Sequence, residues 1–327
     1  MVRQLEALQQ VGFEVSHLAS MLSGSGSQAA ASFAALVNTL TKADLLVKFN
    51  YLKEVGFSAG NLSGILHCSG SSAAGSFEGL VHTITRDDMV CKLNALEKTG
   101  FLANHLSTIL YRCATQAPLS FEALVGSLTE QDMCAKLSLL KEVGFSVNNL
   151  SSILYRCGNQ SAKAFEALIN LLIEPEMRAK LKALQASGIL LTHLSSMLSG
   201  SGTQAAKAFE QLVHTLTQEE VVRKLEALHQ IGFQVSHLSS MLSESGLQAA
   251  ASFAALVNKL TRADILVQLN RLKELGFLAS NLSVMLYRSG SNVAASFERL
   301  VHMITRDDMV CKLHALQEVG FEVSSLS

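Results

Sequence analysis

Apolar positions along this chain fall on helical spacing with few interruptions. In residues 13–56, Phe13, Leu18, Met21 and Leu22 mark one apolar face. The cluster Ser23-Gly24-Ser25-Gly26 breaks the pattern, as small flexible residues do. Phe33, Leu36, Val37 and Leu40 then follow at i, i+3, i+4, i+7, the signature of a helix with one buried stripe. A third set, Leu45, Leu46, Phe49 and Leu52, runs up to Gly56. The spacing predicts three short helices, over about 16–22, about 28–40, and from 41 onward.

The same stretch returns along the whole chain. Phe13 recurs as Phe57, Phe101, Phe145, Phe233, Phe277 and Phe321, with Ile189 in the remaining slot, at a constant step of 44 residues. The repeats are 13–56, 57–100, 101–144, 145–188, 189–232, 233–276 and 277–320, with partial repeats 1–12 and 321–327. A fixed period of this length marks stacked supersecondary units. Three helices in 44 residues cannot bury all their stripes alone, so each repeat must lean on the next. The predicted fold is all-α, a right-handed α-solenoid of three-helix repeats in a single superhelical array. A longer period of 220 residues lies over the first; 57–100 and 277–320 both contain TRDDMVCKL, as a block duplication would leave them.

Local signals sharpen the boundaries. Thr41…Asp44 has the form of a reciprocal N-terminal cap, repeated as Thr85…Asp88, Thr129…Asp132, Thr217…Glu220, Thr261…Asp264 and Thr305…Asp308. At 173–176 the hydroxyl is missing and Pro175 is expected in the first helical turn, where its absent N–H costs nothing. Gly12, Gly56, Gly100 and their equivalents suit left-handed helix ends. The terminal repeats carry no polar cap, which leads us to expect a segment of a longer array.

Composition narrows the function classes. Lys and Arg number 26 against 27 Asp and Glu, a net charge of −1, so no strong basic bias points to nucleic acid, although a local stripe would suffice. No leader pattern opens the chain and no apolar run of about 18 residues occurs. The expectation is a soluble protein of a reduced compartment, cytoplasmic or nuclear, with a secreted effector acting inside a host cell as a further option. The six cysteines form no CxxC pair and read as small residues in a reduced compartment.

Enzyme signatures are absent: no phosphate-binding glycine loop, no GxSxG, no HExxH. No catalytic residue, metal site, cofactor or small-molecule substrate is expected, and no membrane. His17, His105, His193 and His237 share a slot with Asn61, Asn149 and Asn281, an exchange that suits a hydrogen bond to nearby backbone better than a metal row. His82, His214 and His302 likewise alternate with Asn38, Asn170 and Asn258. Ser63, Ser107, Ser151, Ser195, Ser239 and Ser283 recur in mid-helix, where a hydroxyl bonds back to the preceding turn; no base stands at a fixed offset to activate it.

The loop after the first helix changes most between repeats. It reads Ser23-Gly24-Ser25, His67-Cys68-Ser69, Tyr111-Arg112-Cys113, Tyr155-Arg156-Cys157, Ser199-Gly200-Ser201, Ser243-Glu244-Ser245 and Tyr287-Arg288-Ser289. A constant frame carrying a changing tripeptide fits a modular reader, and equally a tolerant surface loop.

The junctions LKELGFLASNLSVMLYRSG (272–290) and LKEVGFSAGNLSGILHCSG (52–70) resemble those of TAL-effector-like DNA-binding repeats. That resemblance implies a two-residue base-reading loop. The pairs would be Gly24-Ser25, Cys68-Ser69, Arg112-Cys113, Arg156-Cys157, Gly200-Ser201, Glu244-Ser245 and Arg288-Ser289, and the partner double-stranded DNA. It covers about half of each unit; the family's repeat is shorter and has two helices, and Ser27-Gln28 stands where its phosphate-contacting Gly-Lys would be. LGF and ILYRC are also similar to mitochondrial termination-factor repeats, without the proline expected there. Two functions therefore stand side by side: nucleic-acid binding through the loop row, with Arg112, Arg156 and Arg288 as contacts, and a protein-interaction scaffold of the HEAT or armadillo kind using its concave face.

Overall fold

A computed structural model describes Val2–Phe321, the side chain of Cys134 excepted; it contains 22 α-helices and, among the described residues, no strand. Each repeat has the three helices expected. In repeat 57–100 they are Ala59–Ile65, Ala73–Ile84 and Asp87–Thr99, with a single 3-10 turn, Gly70–Ser72, leading into the second. The chain divides into two compact units, residues 1–173 and 174–327. The boundary falls between the second and third helices of repeat 145–188, next to Pro175.

Inside each unit, equivalent helices of adjacent repeats lie against one another. In the first unit, the first helices Val15–Leu22, Ala59–Ile65, Ala103–Ile109 and Val147–Ile153 pack in succession. So do the second helices Ala29–Leu40, Ala73–Ile84, Ala117–Leu128 and Ser161–Ile173. The second unit repeats both rows. Phenylalanines tie the rows together. Phe57 meets the edge of Phe121 at 5.6 Å, Phe101 meets Phe165 at 5.7 Å and Phe233 meets Phe297 at 6.1 Å, each 64 residues apart. The opening aromatic of one repeat thus completes its burial only on the second helix of the next. Such edge-to-face pairs add about 0.5–1.5 kcal/mol beyond the area they bury.

The third helix ends as its glycine predicts. Gly56 adopts φ +83° and donates to Lys53 O at 3.1 Å, while Phe57 N donates to Leu52 O at 2.8 Å. This closure turns the chain so that Phe57 enters the core. Pro175 occupies the first turn of Pro175–Ala186, as expected.

The threonines do a different job from the one their spacing suggests. Thr41, Thr85, Thr129, Thr217, Thr261 and Thr305 each donate Oγ1–H to the carbonyl four residues back, at 2.8–3.0 Å. They close the second helix instead of opening the third. The cap of the third helix is the following residue, Lys42 or Arg86 for example, with extended backbone and no capping side chain. A hydroxyl bonded to its own helix is unavailable to the next one. The acidic residue two positions on serves the helix N-terminus and a neighbouring cation: Arg86 forks onto Asp88 at 3.0 and 2.8 Å, and Arg262 onto Asp264 at 3.0 and 2.6 Å.

Among the described residues no single helix is long and apolar enough to cross a membrane.

Candidate functional site

The first helix of each repeat starts on a cap built from the His/Asn slot. Nδ1 of His17, His105, His193 and His237 accepts the N–H three residues back, at 3.0, 3.0, 3.2 and 3.1 Å. In the other three repeats Oδ1 of Asn61, Asn149 and Asn281 accepts the same N–H at 2.9–3.0 Å. Imidazole Nδ1 and amide Oδ1 sit at the same distance from the backbone, which is why the two residues exchange. The recurrent serines bond back as expected, Ser63 Oγ to Gly60 O at 3.1 Å and Ser283 Oγ to Ser280 O at 2.8 Å. The second His/Asn slot bridges repeats: Gln4 donates to Asn38 Oδ1 at 2.9 Å, Lys136 to Asn170 Oδ1 at 3.1 Å, and Lys48 pairs with His82.

Beyond this helix lies the variable tripeptide, and its three positions have distinct fates. The third faces inward. Ser69, Ser201 and Ser245 are buried and donate Oγ–H to Leu66, Leu198 and Leu242 O at 2.6–2.7 Å; Ser25 makes the same bond half-buried. Ser289 is half-buried. Cys113 and Cys157 are buried in the same slot, and burial pushes their thiols up to about 11 and about 12. They are protonated, inert packing groups.

The second position faces outward with left-handed backbone. Gly24 and Gly200 have φ +89° and +80°; Cys68, Arg112, Arg156, Glu244 and Arg288 have φ between +58° and +68° despite carrying side chains. All seven are exposed. A non-glycine residue in this region costs about 1–3 kcal/mol. The conformation is held across repeats: the N–H of Cys68 donates to Ser20 O, of Arg112 to Gly64 O, of Glu244 to Ser196 O and of Arg288 to Ser240 O, at 3.1–3.4 Å.

The first position supplies rings. In the first unit His67 stacks on Tyr111 with centroids 5.1 Å apart and planes 19° from parallel, and Tyr111 leans on Tyr155 at 5.3 Å and 37°. The Arg156 guanidinium lies 4.7 Å from the Tyr155 centroid and 5.6 Å from that of Tyr111; Arg112 stands 6.0 Å from Tyr111 and donates to Cys68 Sγ at 3.5 Å. Ser20 Oγ pins His67 Nδ1 at 2.8 Å. Burial, then the charges of Arg112 and Arg156, lower the His67 pKa, which keeps that ring neutral at neutral pH. No carboxylate among the described residues forms an ion pair with Arg112 or Arg156. The second unit differs. Arg288 stands 5.2 Å from the Tyr287 centroid, but Glu244 from the preceding loop holds it at 3.0 Å.

So the structure brings Arg112 and Arg156 together at the surface with three rings, and turns Cys113 and Cys157, the other halves of the expected pairs, into the interior. The ring slot was not among the expected contacts. Its signal was present: Tyr-Arg recurs at 111, 155 and 287, on the repeat spacing.

A cleft of about 440 Å³ in the second unit is lined by Ile189, His193, Glu226, His229 and Phe233 among others. Among the described residues no cluster of three or more His, Cys, Asp or Glu side chains could hold a metal ion. No family model, curated protein or solved structure matches this chain.

Proposed function

We propose that this chain is a non-enzymatic binding module, a right-handed α-solenoid that takes nucleic acid along the row of loops following each first helix. One observation carries the reading. At a single loop position, all seven repeats are exposed in left-handed backbone and five of them carry a side chain that varies, and in the first unit two of those side chains are arginines without a carboxylate partner among the described residues. Left-handed backbone is expensive for a side chain, and a loop selected only for stability would use glycine there, as Gly24 and Gly200 do. Guanidinium groups held over tyrosine rings are ordered before binding, which lowers the entropy lost when they meet a phosphate or a base edge.

The charge pattern fits selective, salt-sensitive contact at a few points; overall basicity is not part of it. The TAL-effector-like resemblance puts reading at the same loop, with double-stranded DNA as the family's partner. The reading is tested by fluorescence anisotropy of labelled DNA and RNA with the purified chain at low salt. Saturable binding that weakens in the Arg112→Ala/Arg156→Ala double variant supports it. Absence of binding at tens of micromolar defeats it.

A second reading, a protein-interaction scaffold, draws on the exposed apolar residues Leu102, Leu190 and Leu278, which share one slot at the start of the first helix. Recovery of a protein partner whose binding depends on these leucines, and not on the arginines, would favour it.

A further inference from the structure

Resting on the nucleic-acid reading, we propose that the loop ladder of the first unit, His67, Tyr111 and Tyr155 with Arg112 and Arg156, selects single-stranded nucleic acid over duplex. Three observations converge on this.

The first is the surface the ladder offers. The ring faces inside it are occupied, since His67 and Tyr111 stack on one another and Tyr155 carries Arg156. Arg112 and Arg156 themselves are exposed, while Tyr111 and Tyr155 are half-buried beneath them. Planar guanidinium groups are stacking platforms for bases as well as phosphate donors. A duplex hides its base faces in its own stack, whereas a single strand presents them.

The second is the pitch. Successive rings are 5.1 and 5.3 Å apart. Stacked duplex advances about 3.4 Å per nucleotide along its axis, so a duplex whose axis ran parallel to this row would fall out of step with it. An unstacked strand can lengthen to match, with one nucleotide per loop.

The third is chemistry that is missing from the ladder. Duplex recognition without base readout draws its affinity from many phosphate contacts, usually rows of Lys and Arg. The loop tripeptides of the first unit contain no lysine and only two arginines, interleaved with three rings. Cations set among rings are the composition of a strand-stacking groove. The row also ends cleanly: the loop before His67 has Ser23 in the ring slot, which leaves His67 as the terminal ring.

The test compares Kd values of the full chain, at one low salt concentration, for a fluorescein-labelled 14-nucleotide single strand, as DNA and as RNA, and for the duplex of the same sequence. Single strand is expected to bind at least tenfold more tightly than duplex. The discriminating variant is Arg112→Lys/Arg156→Lys, which keeps both charges, tolerates the same backbone and removes the planes; its folding is checked by circular dichroism. Single-strand affinity should fall at least fivefold while any duplex affinity stays within twofold. Duplex bound as tightly as single strand, or a lysine variant that binds single strand like the parent, overturns strand selection but leaves nucleic-acid binding standing. Absence of binding to all probes overturns both.

Discussion

Left-handed backbone at the second loop position makes a prediction whose sign is opposite to ordinary expectation. At Gly200 an added Cβ would meet nothing within 4 Å, yet φ is +80°, so Gly200→Ala isolates conformational strain from crowding. Replacing glycine normally stabilises by about 0.4–1 kcal/mol, because the unfolded chain loses freedom. Here the left-handed penalty of roughly 1–2 kcal/mol opposes that gain and exceeds it. The net expectation is a loss of about 0.5–1 kcal/mol. Cys68→Gly is the mirror experiment. Cys68 sits at φ +63°, is exposed, and its N–H bond to Ser20 O at 3.2 Å survives the change. Relief of strain should outweigh the added unfolded-state freedom by about 0.5–1 kcal/mol, whereas Cys68→Ala should be near neutral. Urea midpoints of the three variants, at unchanged m-value, decide the matter. If Gly200→Ala stabilises and Cys68→Gly destabilises, the loop stores no strain. The inference that side chains are kept there for binding then fails with it.

Other expectations follow from the same geometry. Glu244→Ser removes the carboxylate holding Arg288 at 3.0 Å and should strengthen nucleic-acid binding, read as a lower Kd at low salt. His105→Asn should preserve the first-helix cap, while His105→Ala should cost about 1 kcal/mol in thermal or urea unfolding. Burial holds the pKa of His193 and His237 below the ordinary 6.5. The folded state therefore binds fewer protons than the unfolded one, and stability rises with pH in that window. That contribution is complete above about 6.5 and is lost as pH falls through the lowered folded values, so Tm should drop between pH 7.5 and 5.5. His193→Asn/His237→Asn should flatten that drop. Phe121→Ala removes a fully buried ring shared between adjacent repeats and should cost about 3–5 kcal/mol, measured by urea unfolding.

The repeat length, the three helices, the glycine closures and the core phenylalanines were legible from the chain alone, because each depends on residues within a few positions or on the fixed period. The His/Asn caps and the back-bonded serines were legible too, since they reach only three residues away. The threonines were misread because a hydroxyl between two helices can serve either, and only three-dimensional placement shows that it closes the earlier one. Which residue of Arg112-Cys113 reaches the surface depends on the left-handed turn of the second position, held by a carbonyl 48 residues upstream. The contacts of Tyr111 with His67 and with Tyr155, and the pairing of Glu244 with Arg288, likewise join residues 44 apart. Helical pattern is local and survives reading one residue after another. The face that can bind is made by packing between repeats, and only the tertiary structure decides it.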